Sequence, residues 1–253
     1  KMSSKHRQLV LTTHFNDSHI NSSFRNYGQS LVGTLRIKKN WDNGCLGNVM
    51  TNLRQLFQRI PSTLNILDIE EHRWHYFKEH VLLPLLRTGQ TRTIIIAPNY
   101  VHYIRIRNEL MNLEANAAFI CEYSRDSEIS RGRSRFYHGR HDILLYSGRC
   151  HYFRRYKIRG AQHAIFYSLP EYPHFYSEML NMLSSQSDIE KITKQPSLAK
   201  QNYGTSTSNT GNSGSCTSLT LFTQLDKQPL QRVVGNKRSK HMLKSEKSTF
   251  MFQ

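Results

Sequence analysis

The chain has 253 residues, and 35 Lys and Arg against 18 Asp and Glu give it a formal net charge of +17. Its 13 Tyr, 12 Phe and 2 Trp exclude a wholly disordered chain, because disorder accompanies few aromatic residues. Its apolar runs are far shorter than the roughly 20 residues of a membrane span, so we expect no membrane partner. The excess of cations favours nucleic acid over an anionic membrane surface, because Lys and Arg gain affinity by displacing phosphate counterions.

Short elements are predicted in the first part of the chain. Arg7–Thr13 has the composition of a buried strand, and Asp17–Tyr27 that of a helix with a polar N-cap. Leu31–Ile37 alternates apolar and polar residues, which predicts a half-exposed strand. Ile69–Arg87 carries apolar residues at three- and four-residue spacings, which predicts a helix that Pro84 can kink.

From Arg92 onward, short apolar runs alternate with helical segments. This alternation is typical of βαβ units, and it predicts an α/β fold with a parallel sheet covered by helices on both faces. The predicted strands are Thr93–Ala97, Ala117–Cys121, Asp142–Tyr146 and His163–Tyr167, and the helices that follow them are Tyr100–Leu113, Asp126–His138, Arg149–Tyr156 and Tyr172–Leu183.

A polar stretch interrupts this pattern. Gln201–Ser218 consists almost entirely of Ser, Thr, Asn, Gly and Gln, which predicts a flexible surface loop with little to bury. The core pattern then resumes with a strand at Thr217–Phe222, helices at Leu225–Val234 and Lys237–Leu243, and a last strand at Thr249–Phe252. The polar stretch is therefore predicted to be an excursion within a domain.

The densest chemical signal is the basic segment, Arg131–Gly160. Its arginines suit phosphates, and its interleaved rings suit stacking on unpaired bases, a combination that favours RNA. The alternative is a solvated basic face whose rings belong to the core. The candidate RNA contacts are Arg131, Arg133, Arg135, Arg149, Arg154, Arg155, Lys157 and Arg159, and the interleaved rings are Phe136, Tyr137, Tyr146, Tyr152, Phe153 and Tyr156.

Motifs for catalysis, metals and cofactors are missing. The pairs His72-x-x-His75 and His138-x-x-His141 have no second pair at zinc spacing. There is no G-x-S-x-G nucleophile motif and no G-x-x-x-x-G-K-[ST] phosphate loop. The four Cys include no C-x-x-C pair, which favours a reducing, intracellular compartment. We therefore expect no metal, no cofactor and no catalytic residue.

Two runs carry a family resemblance. Ile143–Gly160 (ILLYSGRCHYFRRYKIRG) and Ile165–Met182 (IFYSLPEYPHFYSEMLNM) closely resemble the digestive-organ-expansion-factor family, nucleolar proteins of the small-subunit processome associated with U3 small nucleolar RNA. Further stretches fit the same family: Ile94–Leu110, Phe119–Tyr123, Ser130–Phe136 and Val233–Phe252.

The resemblance implies a degenerate DEAD-box architecture with two RecA-like lobes. Residues 1–63 would then be the C-terminal remnant of the first lobe and a connection, with Leu11-Thr12-Thr13 where helicases carry Ser-Ala-Thr. Residues 64–253 would form the second lobe, with a flexible insertion at 184–215. On this view the phosphate loop lies before Lys1, and the sequence is a fragment of a longer protein.

The same resemblance implies lost hydrolysis. Active helicases carry two arginines in a His-Arg-x-Gly-Arg segment that corresponds to His174–Glu178, and here Phe175 and Glu178 replace them. Such arginines are worth about 10³–10⁵ in rate, and a carboxylate there would also repel a triphosphate. The neighbouring rings are expected to serve either core packing or a partner: Tyr172, His174, Phe175 and Tyr176.

Three functions remain open from the sequence. The first is a non-catalytic scaffold that binds precursor rRNA, U3 small nucleolar RNA and other processome proteins in the nucleolus. The second is an ATP-dependent RNA helicase whose first lobe is missing from this fragment. The third is a module that binds only proteins, through acidic partner tails.

Overall fold

The computed structural model describes residues 9–15, 17–28, 33–61, 68–184 and 216–253. By its internal contacts the chain divides into two compact units, Lys1–Asn40 and Trp41–Gln253. In the first unit, helix α1 (Ser18–Tyr27) begins after Asp17, whose Oδ1 accepts a hydrogen bond from the Ser18 N–H at 2.6 Å. The predicted helix is therefore confirmed, together with its cap.

The two strands predicted in the first unit are wrong where the structure describes them. Residues 9–13 and 33–37 are irregular, and Leu35 and Ile37 are 81% and 89% exposed. Neither stretch pairs with another strand in the described residues, so alternation alone did not produce a strand. A single strand without a partner leaves its backbone groups to water and gains no stability from a ladder.

The described part of the second unit contains one sheet of seven strands, in the order β3-β4-β2-β5-β6-β1-β7. Every pairing is parallel except that of β7 with β1, which is antiparallel. The strands are β1 (Leu53–Arg59), β2 (Thr93–Ala97), β3 (Ala117–Ile120), β4 (Ile143–Ser147), β5 (His163–Phe166), β6 (Cys216–Phe222) and β7 (Thr249–Phe252).

Helices connect these strands. A π-helical stretch, Lys78–Leu82, separates α2 from α3 just before Pro84, where the missing proline N–H removes one helical hydrogen bond. The helices are α2 (Ile69–Phe77), α3 (Leu83–Thr88), α4 (Tyr100–Asn112), α5 (Asp126–Tyr137), α6 (Gly148–Arg154), α7 (Pro173–Leu180), α8 (Lys227–Val234) and α9 (Asn236–Lys244).

Both faces of the sheet are covered, as strand β2 shows. Its side chains alternate, so Ile94 and Ile96 enter one core with residues of α5 to α9, while Ile95 and Ala97 enter a second core with residues of α2 to α4. Full burial of one such isoleucine contributes about 1.5–3 kcal/mol. The predicted α/β fold with a mostly parallel sheet is confirmed.

Strand β1 was not predicted from the sequence. It lies within residues 1–63, which the sequence analysis assigns to a first lobe. Leu53–Arg59 pairs with β6 in parallel over its whole length, so it belongs to the same sheet as the later strands. The pattern hides this strand because polar Gln55 lies buried between Leu53 and Phe57. The assignment to two lobes stays a prediction, and the insertion at 184–215 lies, after Ser184, outside the described residues.

Candidate nucleic-acid interface

Part of the basic segment is gathered around the start of α5 and the end of α6. Arg133 on α5 donates a hydrogen bond from Nη2 to the Lys157 carbonyl at 2.7 Å, and its guanidinium lies 5.1 Å from the centre of the Tyr156 ring. Arg154 at the end of α6 lies 3.9 Å from Asp126 Oδ1. These contacts place cations from α5 and α6 on one face. Arg133 itself already makes contacts within the chain, so it is less available to RNA than the others.

The remaining cations fall into two groups. Arg149, Arg154 and Arg155 each lie near a carboxylate, but their side chains are more than half exposed. Only the pair of Arg154 with Asp126 is well exposed on both sides, and such a pair is worth about 0–1 kcal/mol, so a phosphate can replace this carboxylate at little cost. The second group is exposed and makes no ion pair with any residue the structure describes: Arg131, Arg135, Lys157 and Arg159.

The rings of the basic segment do not all face solvent. Phe136 and Tyr146 are fully buried and belong to the core, so they are not available to stack on bases. Tyr152 and Phe153, on α6, are 47% and 60% exposed. Tyr156 is half-buried beneath Arg133. The sequence pattern therefore identifies the segment, but only α6 supplies well-exposed rings.

The exposed rings of α6 border a cleft, here called the carboxyl-edge cleft. It lies where β2, β4 and β5 end, the edge at which open α/β sheets usually bind ligands. Its volume is about 320 Å³. The residues that line it are Ile96, Pro98, Asn99, Tyr100, Gly148, Arg149, Tyr152, Phe153, Ser168, Pro170, Glu171, Tyr172, Phe175 and Met179.

Gly148 allows α6 to begin close to the end of β2. A Cβ atom at this position would lie 3.2 Å from the carbonyl oxygens of both Ala97 and Pro98. This spacing is tighter than ordinary van der Waals contact, so a larger residue would push α6 away from the sheet. Gly148 thus sets one wall of the cleft.

The residues predicted as packing or partner aromatics separate into two roles. Tyr172 lines the cleft and stacks on Tyr152, with ring centres 5.4 Å apart and planes at 26°. Tyr176 is fully buried, and its hydroxyl donates a hydrogen bond to Gln55 Oε1 at 3.1 Å. Phe175 is 4% exposed and forms the inner side of the cleft, with His174 edge-to-face against it at 4.5 Å.

Glu178, on α7, contacts two residues of the α6 region. Its Oε2 lies 3.0 Å from Nε2 of His151, and its Oε1 accepts a hydrogen bond from Arg155 at 3.2 Å. His151 is buried, and its Nδ1 lies 3.3 Å from the Tyr146 hydroxyl. Burial lowers the pKa of His151, although the hydrogen bond to Glu178 acts in the opposite direction. Glu178 therefore fixes α6 against α7.

Sequence reasoning missed several residues at this edge. Tyr100 follows β2 and Tyr123 follows β3, and their rings meet edge-to-face at 4.8 Å while staying 37% and 66% exposed. Asn99 caps α4 by accepting a hydrogen bond from the His102 N–H at 3.0 Å. Each of these residues comes directly after a predicted strand, and this position was the signal that could have identified them.

The described residues contain no group of three His, Cys, Asp or Glu side chains placed to hold a metal ion. All four cysteines are buried, and burial raises the pKa of the Cys150 thiol to about 11, which disfavours the nucleophilic thiolate. No helix in the described ranges has the length and apolar character to cross a membrane.

The fold and this edge define an α/β domain with an arginine- and tyrosine-rich surface at the ends of its parallel strands. The family model described as "Utp25, C-terminal domain" matches residues 45–252. The chain therefore belongs to the Utp25 family, which is the same family as the one that the resemblance names after the digestive-organ expansion factor.

Relatives from animals and fungi match along nearly the whole chain. The human "U3 small nucleolar RNA-associated protein 25 homolog" is 32% identical over 98% of this chain, and the Xenopus tropicalis homolog is 31% identical over the same share. "U3 small nucleolar RNA-associated protein 25" of Pyrenophora teres is 27% identical over 97%. The chain spans about three tenths of the length of these relatives, with 30%, 29% and 34% covered.

Two solved DEAD-box structures are similar at low identity. The Escherichia coli DEAD-box protein SrmB, bound to RraA, gives a TM-score of 0.48 at 14% identity, over 72% of this chain and 83% of SrmB. A DEAD box protein from Methanococcus jannaschii gives 0.46 at 12% identity, over 92% of this chain and 48% of the other.

Proposed function

We propose that this chain is a non-catalytic, RNA- and protein-binding part of a nucleolar small-subunit processome, acting in small-subunit rRNA processing. The observation that carries the proposal is the exposure of the basic segment, where Arg131, Arg135, Lys157 and Arg159 make no ion pair in the described residues and the α6 rings Tyr152 and Phe153 are also exposed. The names of the relatives, which contain U3 small nucleolar RNA, support RNA as the polyanion that this charge meets. The expected partners are precursor rRNA, U3 small nucleolar RNA and other processome proteins.

The non-catalytic part of the proposal rests on two replaced positions. Phe175 is buried within the cleft wall, and Glu178 is bound to His151 and Arg155. Neither side chain can supply positive charge to a transferring phosphoryl group, and such charge is worth about 10³–10⁵ in rate. RNA-stimulated ATP hydrolysis by the intact protein would contradict this part.

A salt titration tests the phosphate contacts. The affinity of the chain for single-stranded RNA is measured by filter binding between about 50 and 200 mM salt. Four contacting cations, each contributing about 0.7 to the slope of log K against log salt, predict a fall of about 50-fold over this range. Replacement of Arg131 and Arg135 by Gln should lower the slope by about 1.4.

The matched control replaces two exposed cations outside the basic segment, Arg87 and Lys244, by Gln. This variant has the same net charge as the first, so it separates local contact from bulk charge. We expect its salt slope to stay at the unmodified value. An affinity that does not change with salt, or equal effects of the two variants, would overturn the proposed phosphate contacts.

A further inference from the structure

The carboxyl-edge cleft has the wrong lining for phosphate. Among the described residues that line it, Arg149 is the only cation, and Glu171 contributes a carboxylate. The inner side is apolar, made of the buried residues Ile96, Phe175 and Met179. A pocket that is mostly apolar with a few polar groups at its rim suits a flat, largely apolar group better than an anion.

The rings of the cleft already form a stacking platform. Tyr172 and Tyr152 are stacked at 5.4 Å, and Tyr152 meets Phe153 edge-to-face at 5.1 Å. Tyr152 is 47% exposed, so part of the stack remains open to a further ring. Tyrosine rings accept any nucleobase in this way, because every base presents a π face.

Helix α6 links this platform to the cations. Arg149 lies at its start and lines the cleft, while Arg154 lies at its end, beside the face that carries Lys157. The side chain of Arg149 is 56% exposed, so its guanidinium can reach a phosphate while its Nε stays 3.8 Å from Oε1 of the buried Glu122 carboxylate. We call the exposed side of the basic segment around Arg154 and Lys157 the basic face. A single-stranded RNA whose phosphates contact this face would bring one of its bases to the cleft.

We propose that the carboxyl-edge cleft receives an unpaired nucleobase of single-stranded RNA, stacked on Tyr152 and Tyr172, with Arg149 on the adjoining phosphate. This inference rests on the proposed function, because it needs RNA on the basic face. To the phosphate contacts of the proposed function, this inference adds a contact with a base.

The test compares two oligonucleotides of equal length and charge, one with all its bases and one with abasic sites, by fluorescence anisotropy on the whole chain. Stacking of one base is worth about 5- to 160-fold in affinity. We expect the abasic oligonucleotide to bind more weakly by a factor in this range. Tyr152→Leu, which keeps apolar bulk, should weaken the intact RNA similarly and remove the discrimination while leaving the salt slope unchanged.

Tyr27→Leu serves as the matched control, since Tyr27 is 60% exposed and belongs to the other compact unit. We expect it to bind both oligonucleotides like the unmodified chain, and circular dichroism confirms that each variant is folded. If Tyr152→Leu still prefers the intact RNA while salt-dependent binding persists, the base site is wrong and the proposed function stands. If the unmodified chain does not bind RNA at all, both the base site and the proposed function are wrong.

A competition experiment with mononucleotides distinguishes a base within an RNA strand from a base in a free nucleotide. Cytidine and adenosine monophosphates carry the same chemistry without a strand, so they lack the neighbouring phosphates that the basic face would hold. We expect neither mononucleotide to displace the oligonucleotide, even at mononucleotide concentrations well above the dissociation constant of the oligonucleotide. Displacement by a mononucleotide as effective as that by RNA would make the cleft a free-nucleotide site and overturn the inference.

Discussion

Two regions of the second compact unit use charge in opposite ways. In the first, here called the α2–α4 network, Arg73 pairs with Asp226 at 2.8 Å, and Arg105 binds Glu71 through two hydrogen bonds of 2.7 and 2.5 Å. His102 lies 3.4 Å from Glu70 in the same network. In the second, the basic segment, three arginines form ion pairs from side chains that are more than half exposed, and four further cations form none in the described residues. The rings of Tyr152 and Phe153 are exposed beside the carboxyl-edge cleft.

The comparison distinguishes charged side chains that stabilise the fold from charged side chains that remain available to bind a partner. Arg73 is buried, and its partner Asp226 also accepts hydrogen bonds from the Thr223 N–H at 2.8 Å and the Thr223 hydroxyl at 3.0 Å. A buried cation needs such partners because its desolvation is costly. Arg131 and Arg135 stay in water, so they need no partner for stability and can bind an external polyanion.

The largest expected effect is on the paired side. Arg73→Met leaves the Asp226 carboxylate without its buried partner, and removal of one member of a buried pair costs about 3–5 kcal/mol. Urea unfolding measures this loss. Arg154→Met, which breaks a contact with Asp126 whose two side chains are both more than half exposed, should cost less than about 1 kcal/mol. Equal losses for the two variants would mean that burial does not distinguish these pairs.

A pH effect of intermediate size follows from buried histidines. Burial lowers the pKa of His163, whose Nδ1 lies 2.7 Å from the Thr217 hydroxyl, and of His151. Between the lowered folded pKa values and the unfolded value of about 6.5 the unfolded chain binds more protons than the folded one, so the free energy of unfolding falls as pH drops through this window and levels off below it. We expect this loss to be smaller than that of Arg73→Met.

Unfolding at about pH 7.5 and pH 5.5 measures this dependence on either side of the unfolded histidine pKa. His163→Gln should reduce the difference between the two pH values, because it removes one group that must bind a proton on unfolding. The control, His75→Gln, changes an exposed side chain on α2. A chain that is more stable at the lower pH would contradict the direction argued from burial.

Sequence patterns predicted the β2 to β5 region well because burial on both faces produces continuous apolar runs. Thr93–Ala97 is buried at every position, and the helix that follows it begins at a polar cap, Asn99. The pattern failed at β1, where buried Gln55 interrupts the apolar alternation and bonds to Tyr176, 121 residues later. Such a long-range partner leaves no local signal.

The candidate site was predictable as a segment but not as a surface. Composition identifies Arg131–Gly160, yet it does not separate Tyr146, which is buried, from Tyr152, which is exposed. It also cannot show that Arg133 is bound to a backbone carbonyl. Exposure depends on which side of α6 faces the sheet, and packing of the whole chain decides this.

The smallest effect on stability is expected at the mouth of the cleft. Phe153 is 60% exposed, so Phe153→Ser should change the free energy of unfolding by about 0.5 kcal/mol, as surface substitutions usually do. Its ring lies 5.7 Å from the Arg149 guanidinium and meets Tyr152 edge-to-face, so its loss should still weaken RNA binding, by less than Tyr152→Leu. Urea unfolding and anisotropy on the same preparation measure both quantities.

The matched control for this variant is Met251→Ser, which removes a side chain of similar exposure, 62%, from the edge strand β7. Both variants should be about equally stable, and only Phe153→Ser should lose affinity for RNA. A loss of several kcal/mol at Phe153 would place this ring with the structural residues of the α2–α4 network. Equal weakening of RNA binding by Met251→Ser would show that the effect is not local to the cleft, and the contrast between the two regions would then fail.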